Sequence, residues 1–324
     1  MTAPLDAERV MRHVAATAAL APSIFNTQPW RWQVGRRLLR LWTDRDRQLL
    51  IADPEGRMLT ISCGVGLHHA RVALAATGHE AAVYRLPDPM DPDLLATIDL
   101  DGPHEPQPQE LKLYEAIPRR RTDRRGFGLE PVPEDVAAQL VSAAEAQGAR
   151  MHLVNRDQIA QLALAAAQAA ATQLADPEYR RELIRWTHRP VWSGDGVPTT
   201  TAVASSPRQV PVREFAPFGG APVMDPGPNT DLRALYAIIF TDDDLPIDWL
   251  RAGEALSAVL LTATGEGLGT APISDVTELS ITRDKLRDLL PELGVPQLAA
   301  RIGHAPKTPP PGAPRRSADE VIYP

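Results

Sequence analysis

The chain holds a single cysteine, Cys63, in 324 residues. That excludes an internal disulfide and a cysteine-rich metal site, and it fits a reducing compartment, the cytoplasm. No run reaches the ~18 apolar residues of a membrane span. The first residues, MTAPLDAERVMRH, carry charges where a secretory leader would be apolar, so a soluble, unsecreted protein is expected. Positive charge is also in short supply: 34 Lys and Arg against 41 Asp and Glu leave a net −7, which gives a nucleic acid no electrostatic footing.

Several chemical signatures are missing as well. There is no G-x-S-x-G elbow and no cluster of metal-ligand spacing, so neither a covalent nucleophile nor a bound metal is expected. Gly64-Val65-Gly66-Leu67-His68-His69 begins like a dinucleotide fingerprint, but His69 stands at the third glycine position and no strand clearly precedes it. His68 and His69 make a poor metal pair, because adjacent helical residues point about 100° apart. The small residues of 59–77 suit close packing against a neighbouring helix or a flat ring.

What the chain does have is proline, 32 residues of it, gathered in the stretches 87–108, 190–228 and 306–314. The segments between read clearly. Apolar spacing predicts helices over 6–20, 59–77, 110–117, 134–147, 157–174, 176–187 and 246–264, with Gly78 and Gly265 as stops. Strands are expected at 30–34 and 38–43 as a hairpin, then at 80–86, 94–100, 149–154, 235–241 and 298–302. Asp44 to Arg47 reads as a solvated charged edge. Between 190 and 229 no periodicity survives, and a stretch that long without structure acts as a lid or wraps a neighbour unless it is disordered. Trp192, Phe215 and Phe218 give it material with which to dock.

Three local stretches carry candidate chemistry. In Ala21-Pro22-Ser23-Ile24-Phe25-Asn26-Thr27-Gln28-Pro29-Trp30-Arg31-Trp32, the two prolines shape a loop from which Ser23, Asn26 and Gln28 offer donors and acceptors. Either a flat polar-edged ligand lies against this strip, or it is a helix-to-strand turn with its tryptophans in the core. In Arg119 to Phe127, five of nine residues are arginine. Such crowding calls for solvent or an anion, and a phosphate matches the guanidinium fork. In Gly265 to Val276, Gly267, Gly269 and Pro272 shape a turn that brings backbone N–H groups near a ligand.

These stretches together resemble the FMN-dependent nitroreductases, most closely the Acg-like branch of actinobacteria. PSIFNTQPW is similar to that family's PSxxNxQPW strip, and RRTDRRGF to its RRSxRxF motif, with one extra residue before Phe127 that leaves Arg124 and Arg125 interchangeable. GLGTAPISD is similar to its GLGxxPIxG turn, with Asp275 where the family usually has glycine. The tail Arg315-Arg316-Ser317 resembles its RRP segment.

The resemblance implies an α+β, nitroreductase-like fold that is internally duplicated, so that one chain resembles a homodimer. A first half, 1–105, would supply the strip, and a second, 106–324, the arginine motifs, with the lid inserted at about 188–230. It implies one FMN per chain, electrons from NAD(P)H, and a nitroaromatic or quinone acceptor, the chemistry being carried by the FMN rather than by a catalytic side chain. Pro22, Ser23, Ile24, Asn26 and Gln28 would border the flavin, Pro272, Ile273 and Ser274 would flank its N5, and Arg120, Arg121, Thr122, Arg124, Arg315 and Arg316 would hold the phosphate. Whether Ser274 or Asp275 offers the amide is open, as is whether the pseudo-dimer pairs again. Two rival expectations stand: a flavin-sequestering or storage protein whose lid blocks the FMN, and a scaffold without flavin.

Overall fold

The structure, a computed structural model, describes residues 4–187, 189–204, 206–215, 224–228 and 230–324. The chain opens with α1 (Pro4–Ala18), the hairpin β1 (Trp30–Val34) and β2 (Leu38–Thr43), α2 (Arg57–Ala76), β3 (His79–Arg85), β4 (Leu94–Pro103) and α3 (Pro108–Ala116). It continues through α4 (Glu134–Glu145), β5 (Arg150–Leu153), α5 (Ile159–Ala175), α6 (Pro177–Thr187), β6 (Leu235–Thr241) and α7 (Pro246–Gly265). It closes with β7 (Gly269–Ile273), α8 (Asp275–Glu278), α9 (Ser280–Arg287), β8 (Val295–Gly303), α10 (Ala318–Val321) and β9 (Ile322–Tyr323).

Helices and sheets are mixed, an α+β arrangement. One sheet has the order β3-β4-β2-β1-β9 and the other β5-β6-β8-β7. The pairs are antiparallel except for β9, which runs parallel to β1 with Trp32 opposite Ile322. The C-terminal tail therefore completes the sheet begun by the N-terminal hairpin. A two-residue strand is too short to show period 2. Ser280–Arg287, with few apolar residues, gave no helix signal either.

The turn expected at 267–273 is half a turn: Gly267 takes φ +77, and the chain then runs on as β7. Among the named strands β7 pairs with β8 alone, its outer edge meeting only Thr122 at a single bridge among the described residues, and an edge position tolerates Pro272 because the missing N–H faces away from the ladder. Trp30 and Trp32 are fully buried in the core, the inward members of an alternating strand, so the tryptophans of the strip support the fold.

Helices α2 and α7 lie at the centre and are buried on nearly every side. They cross backbone to backbone. A Cβ on Gly64 would lie 2.1 Å from the Leu250 carbonyl oxygen, and one on Gly253 would lie 2.0 Å from that of Ile61. Beside this crossing the Ser257 hydroxyl lies 2.8 Å from His68 Nδ1 and 2.9 Å from His69 Nδ1, and burial pushes the His69 imidazole down to about 3. No described helix is long and apolar enough to cross a membrane.

Gly253→Ala is expected to lower unfolding stability by about 3 kcal/mol, because the added methyl meets rigid backbone rather than a side chain that can swing away. Gly66→Ala makes the contrast. Its Cβ would meet the Trp32 ring at 3.5 Å, an ordinary contact, and alanine favours the helix by up to ~1 kcal/mol. Urea unfolding of the two variants checks this. Equal stability of both would show that the crossing can slide open.

Candidate functional site

Between α1 and β1 the strip folds into a single short turn, Ile24–Asn26, with Phe25, Asn26 and Gln28 at φ of 45°, 54° and 51°. Non-glycine residues seldom occupy the left-handed region, and three within four positions require an outside hold. Serines supply part of it: Ile24 N–H donates to Ser62 Oγ at 3.1 Å, and Gln28 N–H to Ser23 Oγ at 2.8 Å. Distant chain supplies the rest. The Asn26 amide donates to the Gly196 and Pro314 carbonyls, each at 3.0 Å, and its oxygen accepts from Arg315 Nη1 at 3.2 Å.

The arginine segment is sewn to the second sheet. Asp123 N–H donates to the Thr270 carbonyl at 2.9 Å, and Arg301 Nη2 donates to the Asp123 carbonyl at 2.8 Å. This fixes which arginines face inward. Arg125 turns away, with Nε 2.9 Å from Asp123 Oδ1 and Nη2 2.7 Å from Oδ2, and Arg119 bonds back to the Glu115 carbonyl. Arg124 is half-buried, donating to Thr201 Oγ1 at 3.3 Å, with its guanidinium 4.5 Å from the centre of the Phe215 ring.

Strip, arginines and tail enclose a hollow of three lobes that share Thr122 and Arg124. The first, about 240 Å³, is walled by Pro22, Ser23, Asn26, Arg120, Arg121 and Arg315, with Gly196, Thr201 and Gly312 among the others, and no carboxylate of the described residues lines it. The second, about 90 Å³, is a more apolar slot between Pro22, Ser23, Ile24, Phe25 and Ser62 on one side and Pro272, Ser274 and Phe215 on the other. The third, about 50 Å³, lies against Pro272, Ile273, Ser274, Asp275, Arg213 and Arg301.

Electrostatics single out the first lobe. Arg120 is buried, and its Nε and Nη1 find no partner among the described residues. Burial, with Arg315 and Arg121 beside it, pushes its guanidinium down to about 9. Burial and Arg121 bring Arg315 to about 10, and burial and Arg213 do the same to Arg124. A buried cation without a counter-charge is expensive, and an anion offering several oxygens would relieve all of these at once.

Two residues of the expected set lie outside the hollow. Gln28 spends its amide on the frame, donating to the Gly194 carbonyl at 2.8 Å and accepting the Arg316 N–H at 2.9 Å. Arg316 faces Asp44 at 3.5 Å and the Glu320 carbonyl at 2.8 Å, so its charge is already answered. Both sit one position or two from residues that do line it, which is why the motif alone could not separate them.

The long insertion docks in a way the sequence did not disclose. Asp195 pairs with Arg189 and with Arg47, which is therefore not part of a solvated edge. Gly194, at φ +68, lies so close to the tail that a Cβ would be 2.7 Å from the Arg315 carbonyl oxygen. Trp192 is 87% exposed and does not dock among the described residues, and Phe218 lies outside them. Phe215 enters the slot and meets Phe25 edge-on, with ring centres 5.8 Å apart. Arg213 follows it in, 4.9 Å from the Phe25 ring centre and 2.7 Å from Glu278. Ser62, Thr201, Arg213 and Phe215 were not foreseen as site residues. Only the aromatic in an aperiodic stretch hinted at one of them.

The "Nitroreductase family" model matches residues 117–304. A chain of Mycobacterium tuberculosis (strain ATCC 25618 / H37Rv) named "Putative NAD(P)H nitroreductase Rv3131" is 42% identical over 98% of this chain and 92% of its own length. Another from the same strain, "Putative NAD(P)H nitroreductase acg", is 36% identical over 97% of this chain and 95% of its own. Among solved structures, a nitroreductase with bound FMN from Desulfitobacterium hafniense DCB-2 is 17% identical, with a TM-score of 0.41 over 65% of this chain and 97% of its own. With a family match over more than half its length and relatives alike nearly from end to end, the chain belongs to the nitroreductase family.

Proposed function

We propose that this protein is an FMN-binding oxidoreductase of the cytoplasm that passes electrons from NAD(P)H to a small acceptor, a nitroaromatic or a quinone. One observation carries the reading: the buried guanidinium of Arg120, whose Nε and Nη1 find no partner among the described residues, beside Arg121 and Arg315 in a lobe with no carboxylate among its described walls. That donor set fits a phosphate monoester, and the apolar slot beyond Thr122 and Arg124 suits a flat ring. Arg120, Arg121 and Arg315 would hold the phosphate, and Ser23, Asn26 and Thr122 would border the chain between it and the ring. When bound, the flavin supplies hydride chemistry, while the protein supplies position and electrostatics. Arg124, half-buried beside the slot, would favour negative charge on a ring bound there.

The two sheets, each backed by one of the crossing helices, fit an ancient pairing of two nitroreductase-like halves, 1–105 and 106–324, with strip and arginines divided between them. One flavin per chain follows, since a single arginine segment faces a single strip.

Sequestration of the flavin is the second reading, and Phe215 is the observation that favours it. Its ring stands in the slot, which at about 90 Å³ falls well below the ~300 Å³ of ordinary small-ligand sites. The part of the insertion that carries Arg213 and Phe215, a strap over the slot, must shift to admit a ring, and it could then cover the face on which an acceptor would stack.

The purified protein is expected to show a flavin absorption band that bleaches on anaerobic addition of NADPH or NADH. A band that bleaches with dithionite but with neither nucleotide would favour sequestration. Combining Arg120→Ala with Arg315→Ala is expected to weaken FMN binding at least ~100-fold, since each charge-assisted contact is worth roughly 1.5–3 kcal/mol. Unchanged occupancy would remove the phosphate assignment. Phe215→Ala is expected to raise the rate of bleaching several-fold with little loss of FMN, by stopped-flow absorbance. No change in that rate would mean that the strap does not control access.

A further inference from the structure

Asp275 is a carboxyl group with no counterpart in the reading above, and its surroundings are unusual. It begins α8 directly after Ser274 and lines the third lobe together with Pro272, Ser274 and Arg124. It is 3% exposed, and Oδ1 accepts the Val276 N–H at 3.1 Å. One turn along, the Glu278 side chain is only 1% exposed, and Arg213 of the strap acts on both carboxyl groups. Glu278 takes it, at 2.7 Å, and also accepts from Gln173 at 2.6 Å.

Around Asp275 stand Arg213 from the strap, Arg124 from the arginine segment, Arg301 from β8, Tyr179 from α6 and Glu278 on its own helix, while Arg57 donates to the Thr277 carbonyl from α2 with Asp53 beside it. Burial pushes the Asp275 carboxyl up to about 6, Arg213 pulling it down and Glu278 pushing it further up. Two neighbouring carboxyl groups, of which only one is paired to the cation that both feel, divide into a paired anion and a proton carrier.

Resting on the oxidoreductase reading, we infer that Asp275 is the proton donor to the electron acceptor. A quinone becomes a hydroquinone by gaining two electrons and two protons. A hydride from the reduced cofactor brings both electrons and one proton, and the Asp275 carboxyl gives the other to the second oxygen. A nitro group treated the same way yields a nitroso group and one water. The carboxylate left behind regains its proton from solvent as the strap opens. Enclosed beneath Phe215 and Arg213, the acceptor has little access to bulk water during transfer, which is when an internal acid matters.

The test compares wild type, Asp275→Asn and Glu278→Gln, each loaded with FMN, in three measurements: anaerobic bleaching by nicotinamide, reoxidation of the reduced protein by a benzoquinone as pH is varied, and infrared absorption of protonated carboxyl groups over the same pH range. The wild type is expected to reoxidise more slowly as pH rises through about 6, with a carboxyl band titrating in step. Asp275→Asn should remove the band and the pH limb and slow reoxidation about 100-fold, while bleaching persists. Glu278→Gln frees Arg213 for Asp275 and should move limb and band together to lower pH, a response that a merely structural role would not produce. Persistent bleaching with an unaltered reoxidation profile in Asp275→Asn overturns the role of Asp275 alone. Absence of bleaching in the wild type overturns the oxidoreductase reading, and the proton donor with it.

Discussion

The contact on which the rest depends is the crossing of α2 and α7 at Gly64 and Gly253. At this separation no side chain fits between the backbones, so dispersion along the two helices is strong and their relative position is nearly rigid. The slot inherits that rigidity. Met58, Ile61, Ser62 and Val65 of α2 and Leu256 of α7 form its floor, all within two turns of the crossing. Ser62 then passes position on to the strip, since its hydroxyl accepts the Ile24 N–H while donating to the Met58 carbonyl at 2.7 Å. A chain of short contacts thus runs from a helix crossing to three left-handed residues that would not hold their shape alone.

Against this rigid floor the arginines are set at a cost. Arg120, Arg121, Arg124 and Arg315 line the first lobe, which has no carboxylate among its described walls, although acids stand nearby and are engaged elsewhere: Asp123 with Arg125, Asp195 with Arg47 and Arg189, Asp231 with Arg208 and Arg301. The pairing is selective, leaving one set of cations unanswered inside a fold that answers the others. Stability gained in the helices and sheets is what lets such a set persist, and an anion entering the lobe would return part of the cost as affinity.

How much of this was legible follows from how far each signal reaches along the chain. The strip and the arginine run were visible because uncommon residue types stand side by side, and the helices and longer strands because their periodicity repeats. Arg124 and Arg125 could not be told apart, since one residue of register decides between facing the slot and facing Asp123, and that register comes from the Thr270 and Arg301 contacts of a distant sheet. Gln28 and Arg316 belong to the right motifs, yet their polar atoms are consumed by the frame. The strap was legible only as an absence of pattern. What docks it, Asp195 on Arg47 and Arg213 on Glu278, lies more than sixty residues away in sequence, where no local spacing points.

The strap is held by opposing forces, and this bears on how the site would work. Arg213 is drawn in by Glu278, and the faces of Phe25 and Phe215 attract it further, while Arg124 lies on Phe215 as well. Two guanidiniums on one ring repel, and each is poorly screened once buried. Negative charge arriving near Arg124 would relieve that repulsion and strengthen closure. A proton leaving Asp275 would do so from the other side, by adding an anion next to Arg213. Ligand charge and proton transfer would therefore both be felt by the segment that admits the acceptor, through Arg124 and Arg213 on a single phenylalanine ring.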